Sequence, residues 1–324
     1  MKKVASYLSL FLWLFAGCGQ ETTDMPETEK VYIRISPVRD FQTRVVDEDN
    51  LANEQTINNI SLFFTEPSTT AVTDKYIHTG FTISGDYQLI TLPVQPADLL
   101  VKDIYVVANF NDQTTLEAIT SIDQLKELHT PEVNKTNNLE PLNGFCMYGT
   151  LSAFDFTDTS IQPATIPLVR TCAKLRISLT FPQDPMLSIT NSYLIQNAAS
   201  YTYVVPNATH VLVQSDYFNF AAPLPLTDNG SQVYMSNTYV YEASQAPVIT
   251  LYVHINNSTT QTEFTANLPI PVRNHLYDIA MEVYEDSSIT GTRGGTSGSG
   301  LVYTYTIKTY DEKGFLISEI RETW

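Results

Sequence analysis

Short runs of β-branched and aromatic residues, each closed by a proline or a polar turn, recur along nearly the whole chain, and this spacing admits little other than packed sheets. In the first half they are 30–36 (KVYIRIS), 57–64 (INNISLFF), 87–94 (YQLITLPV), 103–110 (DIYVVANF) and 145–151 (FCMYGTL). From residue 166 they continue as IPLVR, AKLRISLTF, SYLIQ, YTYVV, THVLVQ, VYMSNTYVYEA, PVITLYVHI, TEFTANLPI and HLYDIAMEVYE. Several alternate apolar with polar, so one face of each can be buried while the other stays wet. Prolines such as Pro93, Pro131, Pro182, Pro206 and Pro247 fall between the runs or at their ends, where a missing backbone donor does no harm. Helical spacing is confined to 120–128 (TSIDQLKEL), with Ile122, Leu125 and Leu128 on one face and Ser121 or Asp123 as cap.

The expected fold is therefore all-β, with two β-sandwich domains in tandem, one short helix in the N-terminal domain and a strand-forming C-terminal tail. At 324 residues the chain is long enough for two cores. Polar, Pro-bearing sequence at 155–168 divides it into an N-terminal sandwich over 45–165 and a C-terminal one over 166–286. Residues 287–300 are Gly/Ser/Thr-rich and read as a flexible linker. Residues 301–324 follow as two further strand-like runs joined by a turn at Asp311 to Gly314. Such a tail either folds back on its own domain as a hairpin or pairs with the sheet edge of another molecule.

The first eighteen residues read as an export signal. Lys2 and Lys3 precede an apolar run, 7–16 (YLSLFLWLFA), that is too short for the ~20 residues of a spanning helix. Phe15-Ala16-Gly17-Cys18 resembles the lipobox of bacterial lipoproteins, in which the cysteine is acylated, although Phe15 stands where leucine is usual. Acyl chains on Cys18 would tether the protein to a membrane through the polar stretch Gly19 to Lys30, the first part of a tether and candidate propeptide strand over 19–44. The other cysteines, Cys146 and Cys172, lie in apolar stretches and read as buried free thiols, with a disulfide between them as the alternative.

A formal net charge of −17 repels phosphate backbones and anionic lipid, which excludes nucleic-acid partners. The five histidines, His78, His129, His210, His254 and His275, sit in no catalytic or metal-ligating motif, so neither an enzyme nor a cofactor or metal is expected. Asp47-Glu48-Asp49-Asn50 lacks the glycine turn of a calcium loop and reads as a solvated acidic segment.

Several stretches, in order, are similar to the Bacteroidetes-type fimbrillin family. They are Phe41-Gln42-Thr43-Arg44, INNISLFF, IYVVANF, VRTCAKLRISLTF, TYVYEASQAPVITLYV and PVRNHLYDIAMEV. The resemblance implies two transthyretin-like sandwiches and a lipoprotein pilin that reaches the outer membrane on its lipid anchor. It further implies that an arginine-specific protease cuts after Arg44, or Arg39, and removes the leading strand near residues 30–37. The strand of another copy or of a related subunit then fills the opened groove, building a cell-surface fimbria that supports adhesion. The rival reading is an outer-membrane-anchored carbohydrate-binding lipoprotein whose tyrosine-rich faces stack on sugars.

Overall fold

The computed structural model describes residues 31–37, 56–83, 88–92, 96–132, 144–161, 163–180, 192–206, 211–228, 233–254, 261–290, 299–311 and 315–323. The first unit contains strands β1 (Val31–Pro37), β2 (Ile57–Thr65), β3 (Val72–Ile83), β4 (Gln88–Leu92), β5 (Val101–Ala108), β6 (Met147–Asp155) and β7 (Ala164–Arg170). A single helical turn α1 (Pro96–Leu99) and two short helices, α2 (Gln113–Ala118) and α3 (Ile122–Lys126), join it. The second unit contains β8 (Cys172–Thr180), β9 (Ser192–Gln196), β10 (Ala198–Ala199), β11 (Tyr217–Phe218), β12 (Leu224–Pro225) and β13 (Thr227–Asp228). It continues with β14 (Val233–Tyr241), β15 (Val248–His254), β16 (Gln261–Asn267), β17 (Leu276–Thr290), β18 (Ser299–Tyr310) and β19 (Leu316–Thr323).

The strands of the first unit are hydrogen-bonded in the order β3-β2-β5-β6-β7-β1-β4, and the sheet folds over at β7. β7 meets β6 only at Val169 and Arg170, then runs parallel to β1 from Ala164 to Leu168. Gly149 makes this corner possible, because a Cβ there would lie 2.5 Å from the carbonyl oxygen of Pro167. Folding the sheet brings the inward side chains of β1, β4 and β7 against Ile60, Leu62 and Phe64 of β2 and Ile104, Val106 and Ala108 of β5. The outer face of β2 and β5 is apolar too, which is why SLFF has no polar side. Phe63 and Val107 are covered by Leu116 of α2 and by Ile122 and Leu125 of α3.

α3 begins as its sequence predicts. The Ser121 hydroxyl accepts from the Gln124 N–H at 3.3 Å, and the Gln124 side chain accepts from the Ser121 N–H at 3.3 Å. The expectation of one helix is corrected by α2, which Asp112 caps by accepting from the Thr115 N–H at 3.1 Å. Only Leu116 of α2 is buried, so its apolar face is too narrow to register as a helical period.

In the second unit, a six-stranded sheet, β13-β14-β8-β17-β18-β19, faces a four-stranded one, β12-β9-β15-β16. Leu175, Ile177 and Leu179 of β8 meet Ile249, Leu251 and Val253 of β15 in its core. The boundary between units differs from the sequence reading. Ile166 and Leu168, expected to open the second sandwich, lie in the first core, so the crossing falls at Thr171, between β7 and β8. The proline-bearing segment before β7 marks an internal turn of the first unit instead.

Two expected strands are loop. Residues 201–205 (YTYVV) form only an isolated bridge, Tyr203 with His129, and residues 211–213 form no strand. Val204 and Val205 are apolar because they wedge against the helix-covered face of the first unit. β3 was not among the expected strands, since its polar residues Thr73, Asp74 and Lys75 mask the alternation.

Candidate assembly site

β1 follows from its sequence: in V-Y-I-R-I, Val31, Ile33 and Ile35 are fully buried, while Tyr32 and Arg34 are half-buried. It lies between two neighbours, antiparallel to β4 from Val31/Leu92 to Ile35/Gln88 and parallel to β7 from Ile33/Ala164 to Pro37/Leu168. The walls around it are Ile90, Leu92, Ala164, Ile166 and Leu168. Burying a large aliphatic side chain contributes ~1.5–3 kcal/mol, so three of them contribute roughly 5–9 kcal/mol. That is comparable to the whole stability of a domain, ~5–15 kcal/mol. β1 is thus central to the first core.

Arg39 and Arg44 fall between β1 and β2, and Cys18 precedes β1; all three lie outside the described residues. The linker proposed over 287–300 is strand at 287–290 and 299–300, with 291–298 outside the described residues.

The tail is built onto its own unit. β18 pairs antiparallel with β17 in unbroken register from Leu276/Tyr310 to Asp286/Gly300, and Tyr305 and Ile307 enter the second core. Asp311 closes the turn after β18, its N–H donating to the Phe315 carbonyl at 3.0 Å and its carboxylate accepting from the Phe315 N–H at 2.8 Å. β19 then pairs with β18 alone and is exposed along its whole length. The Tyr305 hydroxyl donates to the Glu322 carboxylate at 2.5 Å across this last pair.

A polar junction fixes the two units to each other; its side chains lie in the stretches VRTCAKLRISLTF, TYVYEASQAPVITLYV and PVRNHLYDIAMEV, whose local pattern does not show which of them meet. Arg170 at the end of β7 donates to the Asn274 side chain at 2.9 Å, buried between the units. Arg273 donates to Glu242 at 2.8 Å and to the carbonyls of Val204 and Tyr203 at 3.0 Å each, holding the wedge loop in place. The same loop exchanges backbone bonds with the end of the helical segment: Thr130 N–H to Thr202 O and Val204 N–H to Leu128 O, both 2.8 Å. Cys146 and Cys172 flank this junction and are free thiols. Burial pushes the Cys146 thiol up to about 12, and burial likewise raises the Tyr241 phenol.

His129 and His275 each place Nδ1 against a local backbone carbonyl, at 3.1 and 2.9 Å. Among the described residues no group of His, Cys, Asp or Glu is arranged to hold a metal ion, and no helix is long and apolar enough to cross a membrane.

No protein-family model matches the sequence, and no curated protein matches it. Solved structures do. The tip fimbrial protein Mfa3 from Porphyromonas gingivalis, solved with a C-terminal truncation, is 15% identical with a TM-score of 0.54, over 86% of this chain and 99% of that one. A fimbrial assembly protein from Parabacteroides distasonis is 14% identical with a TM-score of 0.53, over 90% and 98% of the respective chains. A protein assigned to cell adhesion from the same species reaches a TM-score of 0.57 at 15% identity, over 88% and 98%. At such identities the shared property is the fold, and it extends over nearly the full length of each chain. This chain therefore has the mostly β fold of Bacteroidetes fimbrial and adhesion proteins.

Proposed function

We propose that this chain is a subunit of a surface fimbria of the Bacteroidetes fimbrillin type, two transthyretin-like sandwiches whose first is completed by a strand from a neighbouring subunit. In this reading the precursor is exported under the signal 1–18, acylated on Cys18 and held at the outer membrane by the segment 19–44. Cleavage after Arg44, or Arg39, by an arginine-specific protease then frees β1.

The observation that carries the proposal is the position of β1. It fills a slot between β4 and β7 with three fully buried side chains, yet candidate cleavage sites lie directly after it in the sequence. A strand that contributes most of a domain's net stability has to be replaced once it leaves, and a neighbour's strand supplies the same backbone bonds and apolar triplet. In this chain the matching alternation recurs in Leu301, Tyr303, Tyr305 and Ile307 of β18, but Tyr305 and Ile307 already serve the second core. That favours a related subunit as the donor. The carbohydrate-binding alternative needs exposed aromatic faces, whereas Tyr193, Tyr239 and Tyr277 are among the largest fully buried side chains.

The test is limited digestion with an arginine-specific protease, followed by mass spectrometry and native electrophoresis. Loss of the fragment carrying Val31 to Pro37 together with a ladder of oligomers is expected, and Arg39→Ala/Arg44→Ala should abolish both. Retention of the fragment after complete cleavage, with the chain still monomeric, would overturn the proposal.

A further inference from the structure

We infer that β19 is a self-association edge, through which two copies of this chain pair antiparallel about Ile320 and continue the six-stranded sheet across a two-fold axis. Among the described residues β19 is the last strand of that sheet, and none of them pairs with its outer row of backbone N–H and C=O groups. Edge strands are ordinarily blunted by proline, charged side chains, bulges or cover. β19 carries Glu319, Arg321 and Glu322, and its register shifts between Thr309 and Tyr310 at the Leu316 end, which leaves Ser318 to Thr323 in regular pairing. β19 contains no proline, and Phe315, Leu316, Ile317 and Ile320 at 67, 51, 56 and 39% exposure lie on or beside it. Ile320 stands opposite Ile307 in register and so shares the core-side face, but the opposing sheet does not reach far enough to cover it.

The sequence of β19 selects the occupant. Pairing two copies antiparallel about Ile320 sets Glu319 of each against Arg321 of the other, Ile320 against Ile320, and Ile317 against Thr323. Moving the axis by one residue sets Glu319 against Glu319, or Arg321 against Arg321, and like charges directly opposite are destabilising. Moving it to Ser318 sets Ile317 against Glu319. Within one copy Glu319 already lies across from Lys308, and Arg321 lies across from Thr306. The dimer therefore builds an alternating row of Lys308, Glu319 and Arg321 of the second copy across one face.

The same sequence argues against β19 as the strand that replaces β1. A replacement needs three alternate apolar residues, whereas the regular part of β19 offers Ser318, Ile320 and Glu322 on one face and Glu319, Arg321 and Thr323 on the other, the register shift separating Leu316 from the face of Ser318. Seating either set would bury unpaired charge. Opposing the dimer is the net negative charge of each copy, 16 Lys/Arg against 35 Asp/Glu from residue 19 onward, a long-range repulsion that salt screens beyond ~8 Å at physiological strength.

The contact involves neither β1 nor a cut near Arg44, so it is measured on uncut chain from residue 19 onward, which keeps every described residue. Sedimentation velocity is expected to show a dimer at roughly 100 μM in physiological salt, as suits a small interface. Arg321→Glu should weaken it by roughly tenfold or more, the equivalent of ~1.4 kcal/mol, and Glu319→Arg with Arg321→Glu should restore it. Independently, Ile320→Cys should give an oxidised covalent dimer, while Ser318→Cys should not, because only the residue on the axis meets its own copy. A chain that stays monomeric overturns the inference. So does a dimer indifferent to both charge variants, or equal cross-linking at 318 and 320.

Discussion

Arg273 holds the wedge loop, which packs against the first unit, to the body of the second. Its guanidinium reaches Glu242 and two backbone carbonyls of the wedge loop, so truncation would leave those acceptors without donors. Glu242 keeps partial access to solvent, which limits the penalty, and Arg273→Ala should cost about 2 kcal/mol of stability. Chemical denaturation should then resolve two transitions where the parent shows one. At Cys146 the raised thiol pKa keeps the group protonated at pH 8, where free thiols begin to ionise. Ellman's reagent should find Cys146 and Cys172 unreactive in the native chain and both reactive in denaturant; an oxidised pair would react in neither. His78 on β3 is shifted the other way, its pKa lowered by burial. Its neutral form is favoured by the fold, so the stability it contributes is complete above the unfolded pKa and is lost as pH falls from ~6.5 toward the depressed folded value. Melting temperatures measured between pH 7 and 5 should fall less for His78→Gln than for the parent.

Among the elements, β1 and β8 hold equivalent places. Each opens its unit, and each is flanked by a parallel strand from later in the same unit: β7 beside β1, and β17 beside β8. On the other side each has an antiparallel neighbour, β4 or β14. They differ in how the chain holds them. β8 follows β7 after the single residue Thr171, while residues 38–56, which carry Arg39 and Arg44, separate β1 from β2 in the sequence. Equal burial combined with unequal attachment makes β1 the replaceable strand under the proposed function. Ile33→Ala in β1 should cost about 3 kcal/mol, in line with other buried isoleucines. Urea denaturation measures this directly, and a loss below ~1 kcal/mol would mean that the slot collapses around the smaller side chain. The expected helix over 120–128 was readable because cap, period and partner coincide in Ser121, Gln124, Ile122 and Leu125. The 201–205 run was misread since its alternation resembles a strand's, and only packing reveals that Val204 and Val205 fill a gap between units.

For the whole molecule, charge sets the conditions of assembly. Chains cut after Arg44 keep 12 Lys/Arg against 30 Asp/Glu, a formal −18, and repel at low ionic strength, so backbone pairing and apolar contacts have to provide the association. Oligomers formed after arginine-specific cleavage should therefore become more numerous as salt rises from ~10 to ~150 mM, where the screening length falls from ~30 to ~8 Å. Light scattering across that range tests it, and dissolution of oligomers by added salt would mean that opposite charges hold them.

The strands' own alternation determined that this chain would be all-β with two cores, because a period of two commits one face to burial wherever it occurs. Residues on the path of β1, β2, β5, β8 and β17 were legible on that ground alone. Tertiary structure decided the rest: that β7 closes the first sandwich and not the second, that β18 completes a core while β19 does not, and that Arg170, Arg273 and Asn274 join the units. Those outcomes depend on which strand lies beside which, and pairing between segments distant in sequence leaves no mark on the local pattern of either.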